Sequence, residues 1–135
     1  KIIAVISFFL FFKGFVIIGG LFKNETLQLV SFLLIVIIAL SSIFDITLLF
    51  VLQEIEGVIG FSQLITFGIL VLFFGISIFK MKKEYGDFAS IFGIAEMIAG
   101  FCFLTIILAP VGLFLLVITE ILEMLFIYKT ISKLK

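Results

Sequence analysis

Charge arrives in clumps along this chain, and the stretches between the clumps are apolar for longer than a soluble core requires. Residues 2–22 run to the polar "KNET" at 23–26, and residues 28–52 run to "QEIEG" at 53–57. Residues 58–80 lead into "KMKKEYGD" at 80–87, the most charged stretch. From Phe88 to Tyr128 the chain is apolar again, broken near its middle by "APVG" at 109–112. A membrane-crossing helix needs about 20 mostly apolar residues, and each run supplies at least that. A soluble domain devotes about a quarter of its residues to charge; here the share is 13%, against 64% hydrophobic. Too little polar surface exists to coat a globule. The backbone of such a chain is satisfied inside a bilayer only by internal hydrogen bonding. The fold class predicted is an all-α integral membrane protein, a single transmembrane domain over residues 1–135.

The last run is about twice the length of one span, so it holds either one long helix or two. Pro110 lacks an amide hydrogen and Gly112 tolerates turn geometry, which favours a tight hairpin there. Lysine placement decides independently, because positive charge gathers on the cytoplasmic side. With five helices, Lys23, Lys80, Lys82, Lys83, Lys129, Lys133 and Lys135 share one side and only Lys1 takes the other. With four, the three C-terminal lysines cross over and the bias weakens. The reading is a bundle of five helices at 2–22, 28–52, 58–80, 88–108 and 111–129. Its N-terminus is outside and its C-terminus cytoplasmic, as a multi-pass protein of the cell membrane. The outer loops then carry only Glu54 and Glu56. Asn24-Glu25-Thr26 matches a glycosylation acceptor, but its cytoplasmic placement makes the match accidental. The first segment continues into further membrane sequence without a small-residue cleavage pattern, so it is not read as a signal peptide.

At a rise of about 1.5 Å per residue each charge acquires a depth. Lys13, on the first helix, falls within about 2 Å of the midplane. Glu120 falls at the midplane of the fifth helix, with Glu123 about 4–5 Å and Glu96 of the fourth about 3 Å toward the cytoplasm. These four ionisable groups form an intramembrane charge cluster in one thin slab. Left alone, each costs about 2.5–3.5 kcal/mol. Glu120 and Glu123, three apart, project from one face, so Lys13 is expected to pair with one of them inside the bundle. Such a pair is a pin for helix register, a proton or cation relay, or a contact with a partner. Asp45 is a separate intramembrane acid about 7–8 Å toward the outside; Ser41 and Ser42 stand one turn earlier, placed to satisfy it or to bond back to their own helix.

Gly68 and Gly75 on the third helix, and Gly93 and Gly100 on the fourth, are each seven apart, close to two helical turns. In an antiparallel hairpin Gly75 levels with Gly93 and Gly68 with Gly100. Small residues let membrane helices approach closely, so these helix-packing glycines predict a tight third–fourth hairpin. Gly14, Gly19 and Gly20 offer the same for the first helix.

Histidine is absent, which removes imidazole-based haem, zinc and nucleophile chemistry. The single cysteine, Cys102, forms no internal disulfide and reads as a buried small hydrophobe. Met97, Cys102 and Met124 are soft atoms, but scattered over two helices they do not read as a metal site. The 20 phenylalanines are spread over every helix as core- and lipid-filling material. Every basic residue is lysine and net charge is zero, so no nucleic-acid face is expected. No phosphate loop, CxxC, HExxH or GxSxG occurs. No catalytic residue, cofactor or metal is expected, and the chain is not read as an enzyme.

The stretch "LITFGILVLFFGISIFKMKKEYGDFASIF" followed by "APVGLFLLVITEILEMLFIYKTIS" resembles the small uncharacterised multi-helix integral membrane proteins of archaea and bacteria. In those, glycine-punctuated apolar hairpins alternate with a short charged loop holding Tyr and Asp, here Tyr85 and Asp87. The resemblance covers the C-terminal half and implies a membrane bundle; it assigns no residue a role. Two functions follow from the residues as expectations. One is a non-catalytic accessory subunit of a larger membrane complex, such as a respiratory oxidase or a membrane monooxygenase, its partners being lipids and other membrane subunits. The alternative is a small homo-oligomeric proton or cation channel or transporter that uses the midplane lysine and glutamates. Five helices do not divide into two inverted repeats, which counts against a conventional secondary transporter.

Overall fold

Three residues, Phe22 to Asn24, suffice to turn the chain after its first apolar run, and the side chain of Asn24 is the reason. In the structure, a computed structural model that describes residues 2–48 and 56–134 (side chains 2–45 and 57–134), α1 spans Ile2–Leu21 and α2 spans Glu25–Leu48. Lys23 takes a positive φ of 54°, and the Asn24 carbonyl oxygen Oδ1 accepts the Leu27 amide at 3.1 Å. That is an N-cap, so α2 starts at Glu25 rather than at the expected 28. The Asn24 amide also donates to the Ser77 carbonyl at 2.9 Å, tying the turn to the next hairpin. Lys1, Lys135, the expected end of the second helix at 52 and residues 49–55, Glu54 included, lie outside the described residues.

α3 spans Glu56–Phe79, α4 is a single turn at Lys82–Tyr85, α5 spans Asp87–Leu104 and α6 spans Ala109–Leu134. All but α4 are long and apolar enough to cross a bilayer, giving five such helices among the described residues. The last hairpin is not where the sequence puts it. The turn occupies residues 105–108, with Ile106 at φ 60°, and Ala109 already opens α6. Pro110 therefore sits in the first turn of a helix, where its missing amide hydrogen costs nothing. Gly112 is a buried contact rather than a turn residue: a methyl group there would lie 3.2 Å from Cβ of Cys102. At the other end α6 runs on to Leu134 instead of stopping at 129. There the Thr130 hydroxyl meets Tyr85 of α4, and Lys133 donates to the Glu84 carbonyl.

Going round the bundle the order is α1, α2, α3, α5, α6. α3 packs most extensively on α5, and α1 and α6 barely meet. The α3–α5 approach is set by glycine. A methyl group on Gly75 would come 2.7 Å from the Gly93 carbonyl oxygen, and one on Gly100 would come 2.8 Å from the Gly68 carbonyl oxygen. Backbone meets backbone along this seam, the geometry small residues permit. α1 closes on α2 in the same way, Gly19 lying against the Gln28 backbone.

Aromatic rings fill one half of the interior. Phe15 is fully buried and stands 5.0 Å from Phe74, 5.7 Å from Phe126 and 6.4 Å from Phe92, centroid to centroid. Toward the end that carries Lys23, Lys80 and Lys133, Tyr85 stacks on Phe126 at 4.1 Å and Phe22 meets Tyr85 at 5.6 Å. This plug occupies the lysine-rich half. The opposite half is not filled.

Candidate functional site

That unfilled half holds a cavity of about 410 Å³. Its floor is polar. Glu96, projecting from α5, is 1% exposed, and Glu123, from α6, is 6% exposed. Their side chains lie against each other, with Thr119 beside them and Glu120 close by. Glu96 reaches this position because α3 has no side chain in its way: a methyl group on Gly75 would lie 2.9 Å from the Glu96 Cβ. Thr119 and Glu123 are four apart on α6, so both present to the same side. The Thr119 hydroxyl donates to its own helix, at the Leu116 carbonyl, 3.0 Å away.

Walls and far end differ from the floor. Phe8 and Phe12 of α1, Phe67 and Phe74 of α3 and Phe103 of α5 line the sides. Ser41, Ser42, Gly60 and Gln63 line the end away from the aromatic plug. Glu96 is level with Gly75, twelve residues along α3 from Gln63, so floor and far end are about 18 Å apart. Two buried polar atoms along this space have no hydrogen-bond partner: Oε1 of Glu96 and Nε2 of Gln63. Buried polar groups are nearly always satisfied, so each such exception asks for an explanation. A second cavity of about 280 Å³ lies in the loose α1–α6 seam, and Phe8, Glu120 and Glu123 line both spaces.

Of the four charges expected to meet, the structure brings together the three acids and leaves out the lysine. Lys13 is exposed, and no ion pair joins it to an acid among the described residues, where the single salt bridge is the exposed Lys82–Asp87 contact at 3.9 Å. The expected pairing of Lys13 with Glu120 or Glu123 inside the bundle is therefore corrected. Phe12 and Phe15 are the buried residues of this part of α1. At 100° per residue their direction turns Lys13 outward, onto a stripe shared with exposed Phe9 and Ile17. Asp45 is exposed on α2. The Ser42 hydroxyl returns to the Ile38 carbonyl of its own helix at 2.8 Å, and Ser41 and Ser42 line the cavity.

Cys102 is buried, Met97 half-buried and Met124 exposed. Among the described residues no three His, Cys, Asp or Glu side chains gather as metal ligands. Sequence reasoning passed over Thr119 and Gln63. The signal for Thr119 was its spacing of four from Glu123; for Gln63 it was a lone amide inside an apolar span. Comparison with family models, with curated proteins and with solved structures returns no match.

Proposed function

We propose that this chain is a non-catalytic accessory subunit of a larger complex in the cell membrane, docked through the outward face of α1. The observation that supports it is the outward Lys13. It lies eight residues from the Leu21 end of α1, about 12 Å, further than a four-carbon stem reaches. Left facing lipid near mid-span, its ammonium costs about 2.5–3.5 kcal/mol. A carboxylate on a neighbouring chain at the same depth removes that cost. The lysine-rich end then faces the cytoplasm, with the N-terminus outside.

Photo-crosslinking tests the reading. With a crosslinker at Phe9 or Ile17 in native membranes, an adduct of one discrete mass with a different membrane chain is expected, lost in Lys13→Leu. No adduct, or an adduct of two copies of this chain, overturns it. A second reading, a small oligomeric proton or cation channel or transporter, is favoured by the Glu96–Glu123 pair under an unfilled cavity. For that reading, proteoliposomes of the pure chain carry a flux that Glu96→Gln abolishes; a passive membrane from the same preparation counts against it.

A further inference from the structure

The unfilled half of the bundle has the features of a ligand site rather than of a packing fault. A void left by imperfect packing is lined by apolar atoms and stays dry. This one has a carboxylate-bearing floor, aromatic walls and a polar far end. Its size, about 410 Å³, falls in the range of small-molecule sites, which are mostly apolar with a few placed polar groups. The polar groups here are of one electrostatic kind at the floor: Glu96, Glu120 and Glu123 all present oxygen, and among the described residues no cation lines the space. Glu96 is 1% exposed, and its Oε1 is buried without a partner.

We propose that this cavity binds a hydrophobic monovalent organic cation, an amine or quaternary ammonium on an apolar body, held by Glu96 and Glu123. The acid pair takes the positive charge. The rings of Phe8, Phe12 and Phe74 take the apolar body and add cation–π attraction where they face the charge. An inorganic cation fits less well. It demands six or so oxygen ligands around a small sphere, and the space above the acids is walled by carbon and far larger than a stripped ion. Thr119, whose hydroxyl already serves the Leu116 carbonyl, supplies one more polar contact at most. Entry is lateral. The loose α1–α6 seam holds a cavity of about 280 Å³ lined by exposed Glu120 and buried Glu123, and it opens in the direction from which a membrane-partitioned cation arrives. The aromatic plug of Phe15, Phe74, Phe92 and Phe126 closes the way to the lysine-rich end.

The proposal concerns binding by the isolated chain and stands whether or not the chain docks on a partner. The test is calorimetric titration of the full chain in lipid nanodiscs with benzyltrimethylammonium, corrected for empty nanodiscs. Its neutral isostere neopentylbenzene serves as the comparison. Saturable binding of the cation is expected, at least tenfold weaker in Glu96→Gln and unchanged in Asp45→Asn, which alters an exposed acid on α2. Neopentylbenzene should bind at least tenfold more weakly than the cation. Val71→Trp, which fills the cavity one turn along α3 from Gly75 without removing an acid, should abolish binding while keeping wild-type helicity, and it carries the test if Glu96→Gln fails to fold. Absence of saturable binding, equal binding of the neutral isostere, wild-type affinity in folded Glu96→Gln or in Val71→Trp, or displacement by equimolar sodium overturns the proposal.

Discussion

Tyr85 shows how a single side chain locks the lysine-rich end. Its ring stacks on Phe126 at 4.1 Å, its hydroxyl meets that of Thr130, and Lys133 lies over its ring at 4.8 Å. Burial favours the neutral phenol and raises its pKa above the ordinary value of 10.0, against the smaller opposing effect of the Thr130 hydrogen bond. The stability this contributes is complete below about pH 10, where the unfolded side chain is also neutral. It is lost as pH rises through the folded value. Tyr85→Phe should therefore cost about 1 kcal/mol at neutral pH through the lost hydrogen bond. It should also flatten the loss of thermal stability above about pH 10, measured by melting curves at stepped pH. Neither the latch nor the direction of Lys13 was legible in the sequence. Depth along a helix follows from counting residues, but direction around it requires knowing which face is inward. α1 is apolar all round, so nothing in its pattern separates the Phe12 side from the Lys13 side. Asn24 is legible in the sequence as a cap, a role that its match to a glycosylation acceptor obscures.

Elements were easier to read than their faces, because a bilayer demands length and apolarity of every span. The five apolar runs give the five long helices, and the seven-residue glycine spacings give α3 and α5 faces that approach to backbone contact. Boundaries failed where local chemistry decides them: the Asn24 cap, the tolerance of Pro110 in a first turn, and the continuation of α6 to reach α4. The glycine seam makes a sharp contrast. Gly93→Ala places a methyl group 2.7 Å from the Gly75 carbonyl oxygen, where only backbone can yield, whereas Gly60 has nothing within 4 Å. Gly93→Ala should lose about 1–3 kcal/mol of stability and Gly60→Ala none, measured by reversible unfolding in mixed micelles. Ile106 gives the opposite sign. At φ 60° a β-branched residue is strained, and Ile106→Gly should gain about 1 kcal/mol in the same assay.

For the whole molecule, one asymmetry governs how the bundle sits. Asn24 bonds Ser77, Lys133 bonds Glu84 and Phe22 meets Tyr85, so Lys23, Lys80, Lys82, Lys83, Lys129 and Lys133 collect at a single end. The far ends of α2 and α3 carry no lysine. Lysine retained on the cytoplasmic face fixes orientation, so this end should face inward. The aromatic plug would then seal the inner half and the cavity would occupy the outer half. Val58, 69% exposed near the start of α3, and exposed Lys82 at the opposite end give two reporters. Buried Cys102 is shielded from a polar reagent and can stay in place. In intact cells a membrane-impermeant maleimide should label Val58→Cys and leave Lys82→Cys untouched until the cells are opened. The reverse pattern would put the acid cavity on the cytoplasmic side of the plug and the lysines outside. Equal labelling of both would mean insertion in both directions. Equal labelling alone would remove the basis for comparing Lys13 with a partner carboxylate at a fixed depth, because that depth is meaningful only for a chain held one way round.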